Sequence, residues 1–428
     1  MKMRVCTTYG SDVPLREGSD LHEIRLDVFD SIPEGVKGDV VLTLCGKDIG
    51  CVPEDFKGLV DVGYNDVKSS HRIIKSYHDF DRTPSPDEIL RMLTMGDQEI
   101  SKGAFVASSF NDLYSILDAS RRIDRKHVLL GMGAIGEITR IRQKILGNEF
   151  SFGYHGVGTA PGQLSADEME RLGDDCKIVG ITGHPLSHTK SPAMQNAAIS
   201  ELGINGKYLV FDSPNLDHIE DVIRGYDIRG MNVTIPYKID VMDHLDSLSK
   251  ASECVGAVNT IINDDGRLTG TNTDVTGISY ALRDVELKGS KALILGSGGA
   301  ARAAAYSLTD SGCDVSISGR NAITVKQLSD DFGLNIHVGD VKGFDVIVNC
   351  TPIGLVEGEY PADISVLTGE QVVFDMVYGR ETGIITKAKE VGCMMADGQD
   401  MLIGQGAESF RLWFGKDPDV EVMRGAIQ

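Results

Sequence analysis

Lys291-Ala-Leu-Ile-Leu-Gly-Ser-Gly-Gly-Ala-Ala-Arg302 decides the fold of the larger part of this chain. The apolar residues Ala292 to Leu295 run straight into Gly296, Gly298 and Gly299, and an alanine-rich helical pattern follows from Ala300 to Leu308. A buried parallel strand, a tight turn and a helix opening on that turn read this way. Glycines let backbone N–H groups approach a pyrophosphate, and the helix N-terminus adds positive partial charge. Gly296, Ser297, Gly298, Gly299 and Ala300 are therefore the expected dinucleotide cradle, and Ala301 is small enough for close helix–strand packing. About twenty residues further on, where an NAD enzyme places an acid, the strand Asp314-Val-Ser-Ile-Ser318 ends in Gly319-Arg320. An arginine there favours a 2′-phosphate, hence NADP.

Bulk properties bound the rest. The 428 residues suggest two to three domains. A hydrophobic content of 41% with 25% charged residues is ordinary for a globular protein. No apolar run approaches membrane-spanning length, and the start, Met1-Lys-Met-Arg-Val-Cys6, reads as a strand without the apolar core of a signal peptide. The net charge of −21 argues against nucleic acid or anionic lipid as a partner, so any anionic small substrate needs a locally basic site. The eight cysteines are scattered, with no C-x-x-C pair and no histidine at zinc spacing. They read as reduced thiols of a cytoplasmic protein, and no metal is expected.

Upstream, residues 1 to about 172 carry eight short apolar runs, near residues 4, 23, 39, 59, 72, 102, 127 and 150. Helical patterns follow only the last four: Pro86–Met95, Phe110–Arg122, Ile138–Leu146 and Ala166–Leu172. That alternation predicts a (β/α)8 barrel with a thinned first half. Its candidate chemistry lies at strand ends. His78 closes the fifth strand in Ser76-Tyr-His-Asp-Phe80. Lys102 lies on the sixth. Taken alone, it reads first as a paired or snorkelling lysine at the strand mouth. Held among apolar residues, its pKa would fall and the free amine would attack a ketone. Glu23, Arg25 and Asp27 share one strand face by their spacing of two, which is costly toward a barrel interior unless they bind something. Thr159-Ala-Pro-Gly-Gln163 has the composition of a closing loop.

Together these residues resemble type I 3-dehydroquinate dehydratase over most of the first 172 positions. The resemblance implies that Lys102 forms a Schiff base with the substrate ketone. His78 would act as general base and acid, Arg140 would hold the carboxylate, and Thr159 and Gln163 would close the loop. Glu23 and Arg25 would contact substrate hydroxyls, with Asp27 supporting Arg25. This chain departs from the family at Cys45, where an arginine is usual, and its acidic partner is at best Asp48.

After a short acidic junction, four polar clusters follow apolar runs: Gly183-His-Pro-Leu-Ser-His-Thr189-Lys-Ser191-Pro, Gly230-Met-Asn-Val-Thr234-Ile-Pro-Tyr-Lys238, Gly256-Ala-Val-Asn259-Thr and Gly270-Thr-Asn-Thr-Asp274. With the glycine turn behind them, they resemble shikimate dehydrogenase from about Lys177 to the C-terminus. The resemblance assigns Lys238 and Asp274 as the catalytic pair. It gives Thr189, Ser191, Thr234, Asn259, Asp274 and Gln405 to the substrate, and Met376, Tyr378 and Gly398 to the nicotinamide end. Thr189 stands where serine is usual and Gln195 where histidine is common. Thr324 takes the place of the family's second 2′-phosphate contact, leaving Arg320 largely alone.

The expectation is an α/β chain of four parts. Residues 1–174 form a compact (β/α)8 dehydratase barrel and 175–275 a shikimate-binding lobe. Residues 276–397 form a Rossmann-like NADP domain, and 398–428 a helix returning to the substrate lobe. Its implied activity is dehydration of 3-dehydroquinate to 3-dehydroshikimate, then reduction to shikimate with NADPH. The rivals are a dehydrogenase whose barrel is catalytically degenerate, a dehydrogenase acting on quinate with NAD, and a nucleotide-binding regulator without catalysis. Partners are small substrates, with a homodimer allowed.

Overall fold

The computed structural model describes residues 3–11, 13–34, 36–160, 162–354 and 360–428. It packs as two compact units, Met1–Ser187 with Asn205–Arg229 and His188–Ile204 with Gly230–Gln428.

In the first unit, β1 (Val5–Tyr9), β2 (Leu21–Arg25), β3 (Asp39–Thr43), β4 (Leu59–Asp61), β5 (Arg72–Asp79), β6 (Ile100–Val106), β7 (His127–Met132) and β8 (Ser151–His155) form one sheet in the order β7-β6-β5-β4-β3-β2-β1-β8. Every described pairing in it is parallel. Inward apolar side chains fill the centre, among them Cys6, Leu21, Val41, Leu59, Ile74, Ile100, Val128 and Phe150, one from each strand or its edge. At the β7–β8 seam the described pairing is a single bridge, His127 to Asn148. The Asn148 side chain completes it, accepting from Leu129 N at 2.7 Å and donating to Leu129 O at 2.9 Å.

Helices α1 (Pro86–Thr94), α2 (Phe110–Arg122), α3 (Glu137–Ile141) and α4 (Ala166–Leu172) all lie in the second half. Ser85 and Glu88 form a reciprocal capping box at the start of α1, with Pro86 in its first turn. The third helix is shorter than the apolar pattern to Leu146 suggested. Between β1 and β5 the helical structure among the described residues is one 3-10 turn, Ile49–Cys51. Loop side chains such as Val28, Phe29, Val52 and Phe56 cover the outer faces of Ile24, Leu42 and Val60 in place of helices. The thinned half expected from the sequence is therefore present. Asp27 lies beyond β2, in the turn after it, so strand alternation does not place it.

The chain continues through β9 (Lys177–Gly183), α5 (Ser191–Glu201), β10 (Gly206–Asp212) and α6 (Ile219–Gly225). Of these, β9, β10 and α6 belong to the first unit and pack on the barrel's helices. Phe110 stacks on Phe211 with centroids 6.2 Å apart, and Tyr114 on His218 at 3.9 Å. Tyr226 donates its hydroxyl to Leu113 O at 2.9 Å. The buried Arg142 donates to the carbonyls of Tyr226 and Asp227, both at 2.9 Å. Lys207 bridges Glu137 at 2.8 Å and Glu168 at 2.6 Å. Gly225 is needed here, because a Cβ on it would lie 2.2 Å from Leu117 Cδ2.

The second unit contains most of β11 (Ile228–Val233), then β12 (Ser247–Leu248), α7 (Lys250–Val255), β13 (Thr260–Asp264), β14 (Arg267–Thr271) and α8 (Asp274–Ala281). A second sheet uses β15 (Lys291–Leu295), β16 (Asp314–Ser318), β17 (Asn335–Ile336), β18 (Val346–Asn349), β19 (Val372–Asp375) and β20 (Met394–Asp397). Its order is β17-β16-β15-β18-β19-β20, all parallel. Helices α9 (Gly299–Asp310), α10 (Ala322–Phe332) and α11 (Gly383–Val391) connect it. Thus β15, the stretch that decided the reading, runs centrally in a doubly wound sheet. The long α12 (Gly398–Phe414), followed by α13 (Val420–Gly425), returns along α8. A Cβ on Gly277 of α8 would come 2.6 Å from Met401 O, and Trp413 donates to Ile261 O of β13 at 2.9 Å.

Candidate active sites

The barrel brings its chemistry together on the C-terminal ends of adjacent strands, where such barrels place their sites. Lys102, on β6, is buried, and its Nζ lies 3.1 Å from Asp61 Oδ2 and 4.3 Å from the centroid of the Phe152 ring. Burial acts to lower the lysine pKa, but the carboxylates of Asp61 and Glu23 outweigh it and the pKa is raised. The free amine expected from desolvation is therefore not the resting state; the paired lysine is. Asp61 is also fully engaged. It accepts from Ser76 Oγ at 2.6 Å and from Gly63 N at 3.0 Å.

Glu23 is buried and accepts from Thr8 at 2.7 Å and Thr43 at 2.8 Å. Arg25 clasps Asp27 through two bonds, at 3.0 and 2.7 Å. The Cys45 thiol also donates to Asp27, at 3.2 Å, and loss of hydration together with that carboxylate pushes it up to about 11. A protonated thiol supplies a donor but no charge, so Arg25 is the cation of this group. His78 ends β5. Its side chain is solvent-accessible at the strand mouth, yet partial loss of hydration and the nearby Lys102 ammonium hold its imidazole below the usual histidine range, favouring the unprotonated base at neutral pH.

Arg140, on α3, is buried and donates to Phe152 O at 3.4 Å, while its Nε has no partner. A buried guanidinium with an unused donor suits an incoming carboxylate. The loop ahead of α4 is already closed on itself: Thr159 donates from N and Oγ1 to Gln163 Oε1, at 2.8 and 3.1 Å. Its Pro161 lies outside the described residues. Gly162, at φ 69°, presses on Gly133, whose O would lie 2.2 Å from a Cβ.

The second site is built around α8. Asp274 opens that helix, and Lys238 Nζ reaches its Oδ2 at 2.5 Å. Asn259 donates to Asp274 Oδ1 at 2.8 Å and, more weakly, to Gln405 Oε1 at 3.5 Å. Asn259 Oδ1 in turn accepts Thr273 N at 2.7 Å. This mesh fixes the carboxylate and points the lysine. Ser191 opens α5 and is buried, with its N–H on Thr189 Oγ1 at 3.3 Å. Gln195 is engaged as well, donating to Gly406 O at 2.9 Å. Thr234 is half-buried just after β11.

The glycine turn borders this pair: a Cβ on Gly299 would meet the Lys238 stem at 3.4 Å. Gly296 has φ 120°, a conformation open to glycine, while a Cβ on Gly298 would point into open space, with no neighbouring atom within 4 Å. Helix α9 starts at Gly299 without a side-chain cap, leaving its first N–H groups for an anion. These features fit a dinucleotide pyrophosphate over Gly296–Ala300. At the far edge Arg320 is exposed, Ser297 Oγ bonds Thr324 Oγ1 at 2.6 Å, and Lys326 is paired with Asp330. Asn321 caps α10. Toward the other end, Met376 is half-buried and Tyr378 exposed. Gly398 admits no Cβ, which would lie 2.4 Å from Met376 O.

Asp61, Ser76 and Phe152 were not singled out in the sequence. Asp61 had a usable signal: an acid at the end of the apolar run Leu59-Val-Asp61-Val, the same anomaly that marked Glu23 and Arg25.

Comparison with known proteins follows this division. Residues 60–174 match the family described as type I 3-dehydroquinase. Residues 181–261 match the shikimate dehydrogenase substrate binding domain, and 398–428 the shikimate 5'-dehydrogenase C-terminal domain. A shikimate dehydrogenase (NADP(+)) of Carboxydothermus hydrogenoformans is 38% identical over 275 residues, 60% of this chain and 98% of that protein. One from Archaeoglobus fulgidus is 40% identical over 263 residues, 58% of this chain and 96% of that protein. The Thermus thermophilus shikimate 5-dehydrogenase, solved with NADP(H) and shikimate, is 34% identical with a TM-score of 0.56, covering 59% of this chain and 98% of its own. A dehydroquinate dehydratase and shikimate dehydrogenase structure from S. pombe covers 100% of this chain and 98% of its own, at a TM-score of 0.51 and 24% identity, a likeness of fold.

Proposed function

From a chain that belongs to the shikimate dehydrogenase family, and carries a type I 3-dehydroquinase domain ahead of that part, we propose a two-step enzyme. It dehydrates 3-dehydroquinate and then reduces the 3-dehydroshikimate formed to shikimate with NADPH. The observation that carries the reading is a buried lysine in one site and a lysine–aspartate pair beside a glycine turn in the other.

In the first step Lys102 adds to the ketone, and loss of water gives an iminium. The iminium draws electrons from the adjacent C–H bond, so His78, unprotonated at neutral pH, can take that proton. The same imidazole then protonates the departing hydroxyl. Arg140 uses its free Nε on the substrate carboxylate, while Glu23 and Arg25 order the ring hydroxyls. Gln163 and Thr159 form the covering loop.

NADPH, when held over the Gly296–Ala300 turn, would supply the hydride of the second step. Lys238, steered by Asp274, gives the proton that the carbonyl oxygen needs as it becomes an alcohol. Asn259, Gln405, Thr189, Ser191 and Thr234 orient the ring. Met376, Tyr378 and Gly398 would border the nicotinamide, and Arg320 would meet the 2′-phosphate. The division at 174/175, 275/276 and 397/398 is retained as the proposed domain organisation. No described helix is long and apolar enough to cross a membrane, and all eight cysteines are free thiols, in keeping with a cytoplasmic enzyme.

Two experiments test this half. Lys238→Ala is expected to lower the kcat of shikimate oxidation by roughly 10²–10⁴-fold, with dehydration unchanged; steady-state assay of both reactions checks it, and an intact oxidation rate sinks the assignment. Arg320→Ala is expected to raise KM for NADP by about tenfold or more, since a charged contact of over ~1.4 kcal/mol is lost, with the NAD value unmoved. Equal changes for both cofactors would show that Arg320 does not read the phosphate.

A further inference from the structure

The carboxylate nearest the reacting amine has no part in the scheme above. Asp61, on β4, is buried and lies 3.1 Å from Lys102 Nζ. It is not a mobile side chain: Ser76 Oγ and Gly63 N hold its two oxygens, at 2.6 and 3.0 Å. The other groups facing Lys102 come from four strands. Glu23 on β2 is tied to Thr8 and Thr43, Cys6 on β1 is a buried thiol, His78 ends β5, and Phe152 on β8 offers a ring face. Among the described residues, Asp61 is the one whose carboxylate contacts the amine.

We propose that Asp61 takes the Lys102 proton as the amine attacks the substrate ketone, and then stands opposite the iminium as its counter-ion. This deepens, and rests on, the Schiff-base reading above. The resting pair is an ammonium and a carboxylate, and an ammonium has no lone pair with which to attack. One proton passes from Nζ to Asp61, leaving a neutral amine. The nitrogen lone pair forms the C–N bond while the carbonyl π electrons go to oxygen. That oxygen takes the second nitrogen proton, giving a neutral carbinolamine. The proton held by Asp61 is returned to this hydroxyl, which leaves as water, and the nitrogen lone pair closes the C=N bond. Ammonium plus ketone has become iminium plus water, with no net proton consumed. Asp61 is again an anion beside a cation at nearly the place the ammonium occupied. In a low-dielectric interior an iminium without such a partner would be costly.

The test is cyanoborohydride trapping of full-length protein with 3-dehydroquinate, read as mass added at Lys102 across neutral and alkaline pH. Dehydrogenase activity of the same sample reports that the chain is folded. Asp61→Asn is expected to trap on the order of 100-fold more slowly at neutral pH. Its pH profile should also move toward acid, because burial of Lys102 is then opposed mainly by the Glu23 carboxylate, without the contacting Asp61. Asp61→Glu keeps the charge and should restore most of the rate with the profile in place. Trapping within about twofold of wild type in the Asn variant overturns the proposal. So does slow trapping with an undisplaced profile, the signature of a merely structural role. If the Asn variant does not fold, a folded Glu variant that traps nothing overturns it equally. A wild-type protein that traps nothing removes the Schiff-base reading itself, and this inference with it.

Discussion

Lys102→Met is expected to lower dehydration of 3-dehydroquinate by at least roughly 10⁴-fold, the loss that follows if Lys102 is the nucleophile, and to leave shikimate oxidation within about twofold of wild type. Methionine fills much of the space, so the loss reports chemistry rather than a cavity. It also leaves Asp61 buried without its cation. In the wild type, burial acts to raise the Asp61 pKa, but Lys102, with the hydrogen bonds from Ser76 and Gly63, overrides it and the net shift is down. Without the lysine, burial is opposed only by the Ser76 and Gly63 hydrogen bonds, and the Asp61 pKa is expected to rise above its unfolded value. A group with a raised folded pKa contributes stability below its unfolded pKa, about 3.9 for aspartate, and loses it as pH rises. The melting temperature of the variant should therefore fall furthest below wild type at neutral pH. That gap should narrow toward pH 4. Calorimetry at several pH values, with both activity assays, checks both halves of this expectation. A gap that does not change with pH would mean Asp61 is not the uncompensated charge.

The second large effect comes from cutting the chain where its two sequence families meet. Residues 175–428 expressed alone are expected to be poorly soluble and to melt far below the full chain. Residues 1–174 alone should lose much of their stability as well. Phe110, Leu117, Phe211 and Tyr226 are all fully buried in the full chain, where α2 meets β10 and α6. Full exposure of such a side chain costs about 1.5–3 kcal/mol, and whole domains are stable by only about 5–15 kcal/mol. Arg142 would lose the Tyr226 and Asp227 carbonyls it donates to. A milder variant asks the same question without a cut: Gly225→Ala places a methyl against Leu117, and such overpacking costs about 1–3 kcal/mol. Soluble yield and thermal melts of the two fragments and of this variant decide the matter. A 175–428 fragment as soluble and heat-stable as the full chain would show that the packing contributes little. The barrel should therefore be assayed within the intact chain, which is why the tests above use full-length protein.

How much of this was legible beforehand depends on distance along the chain. The Gly296–Gly299 turn announced its strand and helix because strand, turn and helix are sequential, and glycine is the residue such a turn requires. The eight barrel strands and four helices were readable from apolar periodicity, Lys102 and His78 stood out as polar residues on or at the ends of apolar runs, and Lys238 and Asp274 came from the resemblance of their motifs to shikimate dehydrogenase. Pairings across strands were not. Asp61 meets Lys102 from 41 positions away in sequence, and nothing local to either residue states the partner. The sign of the Lys102 shift follows from that partner: the sequence allowed a paired lysine, its first reading, and a desolvated one, and only the fold supplies the carboxylate that decides for the pair. Cys45 shows the same limit. Its departure from the family was visible, but its bond to Asp27, and so the fact that it adds a donor and no charge, needed the fold.

The sequence by itself therefore determined the classes of structure and named candidate side chains, because periodicity, turn chemistry and motif are local properties. The tertiary structure alone decided which charges face one another and which apolar faces are shared. The glycine turn beside Lys238, the Asp61–Lys102 pair, and the packing of α2 on α6 each join residues far apart in the chain. Charge compensation and burial depend on what meets across those gaps.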